Sequence, residues 1–233
     1  MATDTLHGIV EYFEDFLVTA IADLPESDNQ AVTGETRAVV AGGDDGRLRL
    51  AIAATDDDDV GAVTLGALNY KAGTGDLYME ARIFLSSIAD NKFFVGFGDS
   101  IASGDETSFS ATSDTVTIDT MTDGIGILFD GDATTLTLWC VAGAADAVTK
   151  GQALNTKYNP VAATAITLGV LLSADRKSAV WYVNNEEVYR VNANSSVLVG
   201  AVSLVPGVWA YEQGTAFNLD VDYIHARKPR STT

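Results

Sequence analysis

The sequence predicts an all-β protein in which two antiparallel sheets pack face to face. Beyond residue 30, roughly a dozen short segments with apolar or alternating patterns follow one another, separated by turn-forming clusters. No convincing helical period is present in that region. The composition agrees, because 23 of the 32 acidic residues are Asp, which favours turns, and 24 residues are Thr, which favours strands.

Residues 1–34 are predicted to form an N-terminal arm. Ile9, Phe13 and Phe16 belong to an apolar series whose spacing fits a short amphipathic helix. Their β-branched and aromatic character makes a paired strand a nearly equal alternative. Pro25 and the polar run after it end the segment. We expect the arm to pack on its own domain or on a neighbouring subunit, and its removal (residues 1–24) to leave a folded sandwich.

The predicted sandwich domain covers residues 35–228. Its clearest strand is 77–85, where alternate residues from Leu77 form an apolar face and Tyr78, Glu80, Arg82 and Phe84 form the other. The turn at Asp90-Asn91 leads into an apolar run at 93–98, so residues 77–98 are predicted to form a hairpin. Residues 99–124 are rich in Ser, Thr, Asp and Gly and are predicted to be a long polar excursion.

The second half of the domain continues the same pattern. Strands are predicted at 124–129, 136–141, 165–172, 179–183, 187–191 and 217–226. Asn184-Asn185 tolerates the positive φ values of a type I′ turn and predicts a tight hairpin. Residues 229–233 are assigned to a C-terminal tail, because Pro229 discourages strand pairing. With Arg227, Lys228 and Arg230, this end is predicted to be an extended basic segment, either solvated or tethered to an acidic neighbour.

Charge and cysteine content exclude several classes of function. With 32 acidic and 14 basic residues the net charge is −18, which would repel nucleic acid and anionic membranes. No apolar run approaches the length of a membrane span, and no secretory signal peptide is recognisable, so we expect synthesis in a cytoplasm. The one cysteine, Cys140, allows neither an intrachain disulfide nor a thiolate metal cluster and is expected to be a buried thiol.

Four segments together resemble a known fold family. They are Gly46–Asp59, Leu77–Ser87 (with EAR) followed by Phe93–Asp99 (with VGF), Val180–Glu186 with its YVNN turn, and Leu219–His225 with its DYI motif. This order resembles the concanavalin A-like (laminin G-like) jelly roll, in particular the variety found as virion structural proteins of tailed bacteriophages. Asn185 stands where that family usually has Gly, which the turn tolerates. The motifs are core patterns and turns rather than chemistry.

The glucanases that share this jelly roll require a test for catalytic residues. Retaining glycosidases use paired carboxylates, and no E-x-D-x-E strand is present. Glu80 is predicted to form a surface pair with Arg82, and Asp220 and Asp222 share a face without a Glu companion. His7 and His225 are the two histidines, and no G-x-S-x-G elbow occurs, so a Ser-His-Asp site has little support. We therefore predict no catalytic residue and no enzyme.

Two kinds of binding site remain open in the sequence. Calcium could be bound by carboxylate oxygens in three acidic loops: Asp44-Asp45, Asp56–Asp59 and Asp130-Gly131-Asp132. None of these loops matches the calcium-binding loop motif. We therefore expect solvated loops and predict no metal and no cofactor. Large aromatic residues could stack on sugar rings or fill the core, and the latter is favoured. They are Trp139, Trp181, Trp209, Tyr182 and Tyr211. Trp181 and Tyr182 must face opposite ways.

The resemblance implies a non-enzymatic virion structural protein, most concretely a capsid decoration protein that stabilises the head shell. The expected partners are the major capsid protein and further copies of the chain, with a trimer suited to threefold positions. The expected location is the capsid surface, after synthesis in the bacterial host cytoplasm. The alternative is a lectin-like carbohydrate-binding module of a phage head or tail fibre that recognises host-surface glycans.

Overall fold

Two large antiparallel sheets pack face to face, which confirms the predicted fold class. The computed structural model describes residues 2–4, 8–17, 27–28, 35–40, 46–54, 60–65, 69–100, 109–118, 121–131, 133–192 and 196–230. The division into arm, domain and tail stays a prediction. In the described part of the chain, no helix is long and apolar enough to cross a membrane.

The larger sheet, called the front sheet, has nine strands in the described residues. Its main order is β1-β2-β19-β8-β15-β16-β17, and β4 and β5 extend it beside β19. The strands are β1 (Ala2–Asp4), β2 (Ile9–Glu14), β4 (Glu35–Val39), β5 (Leu48–Ile52), β8 (Leu77–Leu85), β15 (Ile166–Leu172), β16 (Ser178–Val183), β17 (Glu186–Asn192) and β19 (Phe217–Pro229).

The second sheet, called the back sheet, has eight strands in the described residues. Its main order is β14-β13-β12-β9-β18-β6-β3, and β7 pairs with β18. The strands are β3 (Ser27–Asp28), β6 (Val60–Leu65), β7 (Tyr70–Lys71), β9 (Asn91–Gly98), β12 (Gly124–Asp130), β13 (Leu138–Ala144), β14 (Ala147–Ala153) and β18 (Ser203–Glu212). A 3₁₀ turn, Thr156–Tyr158, follows β14.

The core lies between the inner faces of the two sheets. β8 shows why these residues form strands, because its burial alternates strictly and every second residue from Leu77 to Leu85 is buried, as the sequence predicts. Trp181 is fully buried in the core, and its indole Nε1 donates to the Gly126 carbonyl 2.8 Å away in the back sheet. Cys140 is buried on β13, as expected, and burial raises the pKa of its thiol.

The back sheet is covered on its outer face as well. The polar excursion predicted at 99–124 contains a hairpin of β10 (Phe109–Thr112) and β11 (Thr115–Ile118). Phe109 packs on Phe94 of β9, and Trp139 and Trp209 belong to the same buried cluster. Consequently β9 and β12 are buried on both faces and read as continuous apolar runs.

The hairpin predicted at residues 77–98 is wrong. β8 pairs with β15 and β19 in the front sheet, whereas β9 pairs with β12 and β18 in the back sheet. The segment after Leu85 therefore carries the chain from one sheet to the other. The Asn91 amide fixes this crossing by donating to the Ser87 and Ala89 carbonyls at 2.9 and 3.2 Å.

The helix predicted around residues 9–17 is also wrong, and the strand alternative is confirmed. Ile9–Glu14 forms β2, which pairs in register with β19 from Ile224 to Pro229. Inter-strand hydrogen bonding and β propensity prevail here over the helical spacing of the apolar residues. Just beyond β2, Phe16 is fully buried in the core.

The final strand is longer than the sequence predicts. β19 continues through Ala226 to Pro229, and Pro229 lies opposite Ile9 of β2. The predicted extended basic segment is thus partly wrong, because Arg227 and Lys228 lie on a paired strand. Residues 231–233 lie outside the described residues.

The β16–β17 hairpin is confirmed. Asn184 and Asn185 adopt φ values of +50° and +65°, as a type I′ turn requires, and join the two antiparallel strands.

Candidate functional site

An outward-facing row of side chains on three neighbouring strands forms a connected group of hydrogen bonds and ion pairs on the front sheet. We call it the outer band, and it is carried by β2, β19 and β8. The strand register sets its composition, because His225 lies opposite both Glu80 on β8 and Phe13 on β2. Tyr223 lies opposite Arg82, and Arg227 lies opposite Tyr78.

A β-bulge sets which residues of β19 point outward. The pairing of β19 with β8 shifts register between Val221 and Tyr223. As a result Val221 and Ile224 both face the core although they are three positions apart, and Asp222 and Tyr223 contact Arg82 and Glu80 on the outer side. Without the bulge, Tyr223 and His225 would face the core.

Glu80 lies at the centre of the outer band. Its Oε2 accepts a hydrogen bond from the Tyr78 hydroxyl at 2.5 Å, and its Oε1 accepts one from the Tyr223 hydroxyl at 3.1 Å. The His225 imidazole lies between two carboxylates, with Nε2 at 2.6 Å from Glu11 Oε1 and Nδ1 at 3.9 Å from Glu80 Oε1.

These contacts shift the pKa values of the central groups. The interaction with His225 is the largest cause that lowers the pKa of Glu80, and the two tyrosine hydroxyls add to it against the effect of burial. Glu80, and then Glu11, raise the pKa of His225. Burial, followed by the Glu80 carboxylate, raises the pKa of Tyr78. The centre therefore favours an ionised carboxylate beside a protonated imidazole.

Aromatic side chains accompany this charged centre. Phe13 is 48% exposed, and its ring stacks on Tyr223 with centroids 5.4 Å apart and contacts His225 edge-on at 6.1 Å. The guanidinium of Arg227 lies 4.6 Å from the centroid of the Tyr78 ring. Half-exposed aromatic rings beside fixed charges are common in ligand-binding sites.

Two cavities lie at the ends of the outer band. The acidic cavity, of about 210 Å³, carries two carboxylates and is lined by Phe13, Asp15, Leu17, Gly46, Arg82, Asp222 and Tyr223. The second cavity, of about 410 Å³, is lined by Ile9, Asp76, Tyr78, Leu171, Arg227, Lys228 and Pro229, and the Lys228 ammonium contacts the Asn69 carbonyl and the Tyr70 ring, which do not line it.

The predicted surface pair of Glu80 with Arg82 is wrong. Arg82 Nη1 instead contacts Asp222 Oδ2 at 3.1 Å, and Glu80 takes the partners described above. The other aspartate of the predicted set, Asp220, accepts a bidentate contact from Arg49 at 2.6 and 2.8 Å. Asp220 and Asp222 are therefore each paired with a different arginine and do not form a pair of free carboxylates.

Most of the aromatic residues that could have formed a sugar-stacking platform are not on the surface. Trp139, Trp181, Trp209 and Tyr211 are all buried, as the core-filling expectation has it. Tyr182 is half-buried and faces away from Trp181, as predicted. The outer band instead presents the rings of Phe13, Tyr78 and Tyr223, which the sequence did not single out as a stacking surface. The sequence pattern that could have identified them is an aromatic residue two positions from a charged residue on the polar face of a strand, as with Tyr78 and Glu80.

The remaining candidates fall partly outside the described residues. His7, Asp44-Asp45, Asp56–Asp59 and Asp132 belong to that group. The Asp130 carboxylate accepts hydrogen bonds from the Ala111 N–H at 2.7 Å and from the Gln213 side chain at 2.8 Å, so it anchors the β10–β11 hairpin. Across the described ranges, no group of three or more His, Cys, Asp or Glu side chains is arranged to hold a metal ion.

The fold is a jelly-roll sandwich of the kind seen in solved lectin and β-glucanase structures. It is similar to a protein of unknown function from Shewanella oneidensis MR-1, with a TM-score of 0.67 and 11% identity over 100% of this chain and 92% of that one. A structure reported with endo-acting O-glycanases of the human gut microbiota matches with a TM-score of 0.61 and 11% identity, over 94% of this chain and 99% of that one. Peanut lectin matches with a TM-score of 0.60 and 13% identity, over 97% of this chain and 99% of that one. No protein-family model and no curated protein sequence matches.

Proposed function

We propose that this protein is a non-catalytic carbohydrate-binding module whose ligand lies along the outer band. The observation that carries the proposal is the combination of accessible aromatic rings with fixed hydrogen-bonding groups on one open sheet face. The similarity to a lectin and to a structure reported with glycanases supports the same class of ligand.

The chemistry of the outer band suits a sugar. A pyranose ring presents an apolar face of C–H groups and an edge of hydroxyl groups. Phe13 offers a flat apolar surface for the C–H face of the ring. Glu11 and Asp15 offer carboxylate oxygens that accept hydrogen bonds from the sugar hydroxyl groups. Because hydrogen bonds to an ionised acceptor are stronger than neutral ones, a few such contacts orient a ligand.

The state of Glu80 supports binding rather than hydrolysis. A general acid needs a raised pKa so that it carries a proton near neutral pH, whereas the pKa of Glu80 is lowered. The nearby aspartates Asp220 and Asp222 are both engaged by arginines. We therefore assign Glu80 the role of organising Tyr78, Tyr223 and His225.

Affinity electrophoresis in gels that contain soluble polysaccharides tests this function. The panel includes neutral glucans, galactans and mannans and their acidic counterparts, and a retarded band identifies a ligand. Phe13→Ala is expected to weaken binding about tenfold, or about 1.4 kcal/mol, by loss of ring stacking. Val161→Ala is the matched control, because Val161 is a comparably exposed apolar residue, 61% accessible, outside the outer band.

Retardation by no polysaccharide, or equal losses in the two variants, would contradict the proposal. The first result removes carbohydrate as the ligand class, and the second removes the outer band as the binding surface.

A second candidate function is the virion structural role that the sequence resemblance implies. One observation favours it: three of the four exposed large apolar residues in the described part of the chain, Ile9, Phe13 and Leu17, lie on or beside β2. Such a concentration at one side of a sheet is typical of a protein–protein contact. The contact would be with the major capsid protein or with further copies of this chain.

Antibody labelling of purified virus particles, viewed by negative-stain electron microscopy, tests the second candidate. Regular labelling of heads supports a decoration protein, and labelling of tail fibres supports a carbohydrate-binding module on the virion. Unlabelled particles would exclude a virion location. Sedimentation analysis of the free protein tests the expected trimer separately.

A further inference from the structure

The side chain of His225 connects three neighbouring strands of the front sheet. Its Nε2 lies 2.6 Å from Oε1 of Glu11 on β2, and its Nδ1 lies 3.9 Å from Oε1 of Glu80 on β8. The imidazole side chain is only 19% exposed, so little water screens these contacts. Each ring nitrogen of this one residue on β19 therefore faces a carboxylate on a different neighbouring strand.

This arrangement fits a protonated imidazole better than a neutral one. The protonated ring has two N–H donors, one for each side, whereas the neutral ring keeps one N–H and turns a lone pair toward the other carboxylate. Loss of the proton also removes the positive charge between Glu11 and Glu80, so that the two carboxylates repel each other across the ring. Deprotonation of His225 therefore weakens the side-chain connection from β2 to β19 and β8.

The other titratable and charged groups around the imidazole keep their charge when His225 loses its proton. Among the described residues they are Tyr78 on β8, whose hydroxyl donates to Glu80, and, on β19, Tyr223, which also donates to Glu80, and Arg227, which lies over the Tyr78 ring. The pKa values of both tyrosines are raised, mainly by burial, so their hydroxyls stay protonated. An arginine also stays charged at any such pH.

Glu11 is the partner that gives way. Glu80 keeps its two tyrosine hydrogen bonds when the imidazole is neutral, whereas the Glu11 side chain is 34% exposed and can turn toward water. Glu11 lies on β2, whose residues are half-buried or exposed. Just beyond β2, the fully buried Phe16 holds the end of the segment in the core. The effect of deprotonation is therefore a local loosening of β2.

We propose that His225 is a pH-sensitive latch for β2, closed when the imidazole is protonated and loosened when it is neutral, and that this latch regulates the affinity of the outer band for saccharide. The inference rests on the proposed carbohydrate-binding function. The link is Phe13 on β2, whose ring contacts His225 edge-on at 6.1 Å and stacks on Tyr223 at 5.4 Å. When β2 loosens, this ring leaves the stack and the apolar platform for the sugar is lost.

The direction of the pH dependence follows from the two carboxylates. Glu80, and then Glu11, raise the pKa of His225 above 6.5, so the imidazole is protonated below that pH. The latch loosens as the pH rises through the raised pKa. Saccharide affinity is therefore expected to be higher at mildly acidic pH than at mildly alkaline pH.

Amide hydrogen exchange of the free protein tests the latch without any saccharide. Protection factors of residues 9–14, corrected for the intrinsic pH dependence of exchange, are compared between about pH 5.5 and 8.5. Amides of β15 are the internal reference, because β15 pairs with β8 and β16 and not with β2. We expect β2 protection to fall about three- to tenfold relative to β15 as the pH rises, where tenfold corresponds to a difference of one pKa unit. The fall should be absent in His225→Gln and retained in His7→Gln, which removes the other histidine of the chain.

Calorimetry over the same pH range then tests the regulation, with the polysaccharide that retards the wild type most strongly. A loss of affinity of about three- to tenfold that parallels the fall in protection and is absent in His225→Gln supports the inference. Constant β2 protection, or a fall that persists in His225→Gln, overturns the latch, and the proposed function stands if saccharide still binds. A fall in protection at constant affinity overturns the regulation. A fall in protection with no saccharide binding at any pH supports the latch and rejects the proposed function.

Discussion

Two phenylalanines three positions apart should differ sharply in their contribution to stability. Phe16 is fully buried in the core, whereas Phe13 is 48% exposed on the outer band. If residues 8–17 are an integral part of the sandwich, Phe16→Ala removes a core side chain and leaves a cavity. If they are a detachable arm, both substitutions are mild.

The structure sets the size of the expected difference. Burying an aromatic side chain of about 150 Å² at about 25 cal/mol per Å² gives roughly 4 kcal/mol, and measured Phe→Ala losses in cores are about 3–5 kcal/mol. For a domain of this size that corresponds to a fall in Tm of about 6–20 °C. Phe13→Ala is expected to cost about 1 kcal/mol, or about 2–4 °C, because half of the ring is exposed and its stacking on Tyr223 is lost.

Differential scanning calorimetry of the wild type and the two variants measures both values under one condition. The reasoning is refuted if Phe16→Ala melts within about 3 °C of Phe13→Ala. The same logic applies to the deletion of residues 1–24. Because that deletion removes Phe16 and all of β2, we now expect it to destabilise the sandwich, contrary to the expectation from the sequence.

The remaining predictions concern pH, the β16–β17 turn, catalysis and metal. The pKa of His225 is raised above 6.5 and that of Glu80 is lowered below 4.5, so the Tm deficit of His225→Gln should be largest between pH 4.5 and 6.5. It should shrink as pH rises through the raised pKa of His225, and a pH-independent deficit in thermal melts would contradict this. Because residue 185 has a φ of +65°, Asn185→Ala should unfold about 1 kcal/mol more easily than Asn185→Gly in urea titrations. No reducing sugar should be released from laminarin or agarose, and release abolished by Glu80→Gln would show an enzyme. EDTA should change Tm by about a degree or two, whereas a large drop restored by calcium alone would reveal a structural ion.

The fold class was predictable because the sequence displays local patterns that two packed sheets require. Alternation on β8 and the Asn184-Asn185 turn are local signals, and both are confirmed. The crossing after Leu85 was not predictable in the same way. A turn between two apolar runs looks the same whether the runs pair with each other or enter different sheets, and only the distant partners β15 and β12 decide.

The candidate site was harder to predict than the fold because its residues are far apart in the sequence. Glu80 acquires its environment from Tyr223 and His225, about 140 positions later, and from Glu11. Their alignment depends on a one-residue bulge in β19, which reverses the face of every later residue of that strand. The hairpin β10–β11 was missed because its apolar residues are few and lie in a polar stretch.

The position of β19 in the front sheet has a consequence for how the chain is synthesised. This strand pairs with β8 on one side and with β5 and then β2 on the other, so it joins parts of the front sheet made much earlier. While the ribosome extends the chain, β5 and β8 have no β19 to pair with, and their edges can pair with other chains. The front sheet closes only after residue 229 has left the exit tunnel. Folding is therefore expected to be late and slow, as for other topologies dominated by distant contacts. A nascent chain arrested before residue 217 is a candidate for chaperone binding or aggregation.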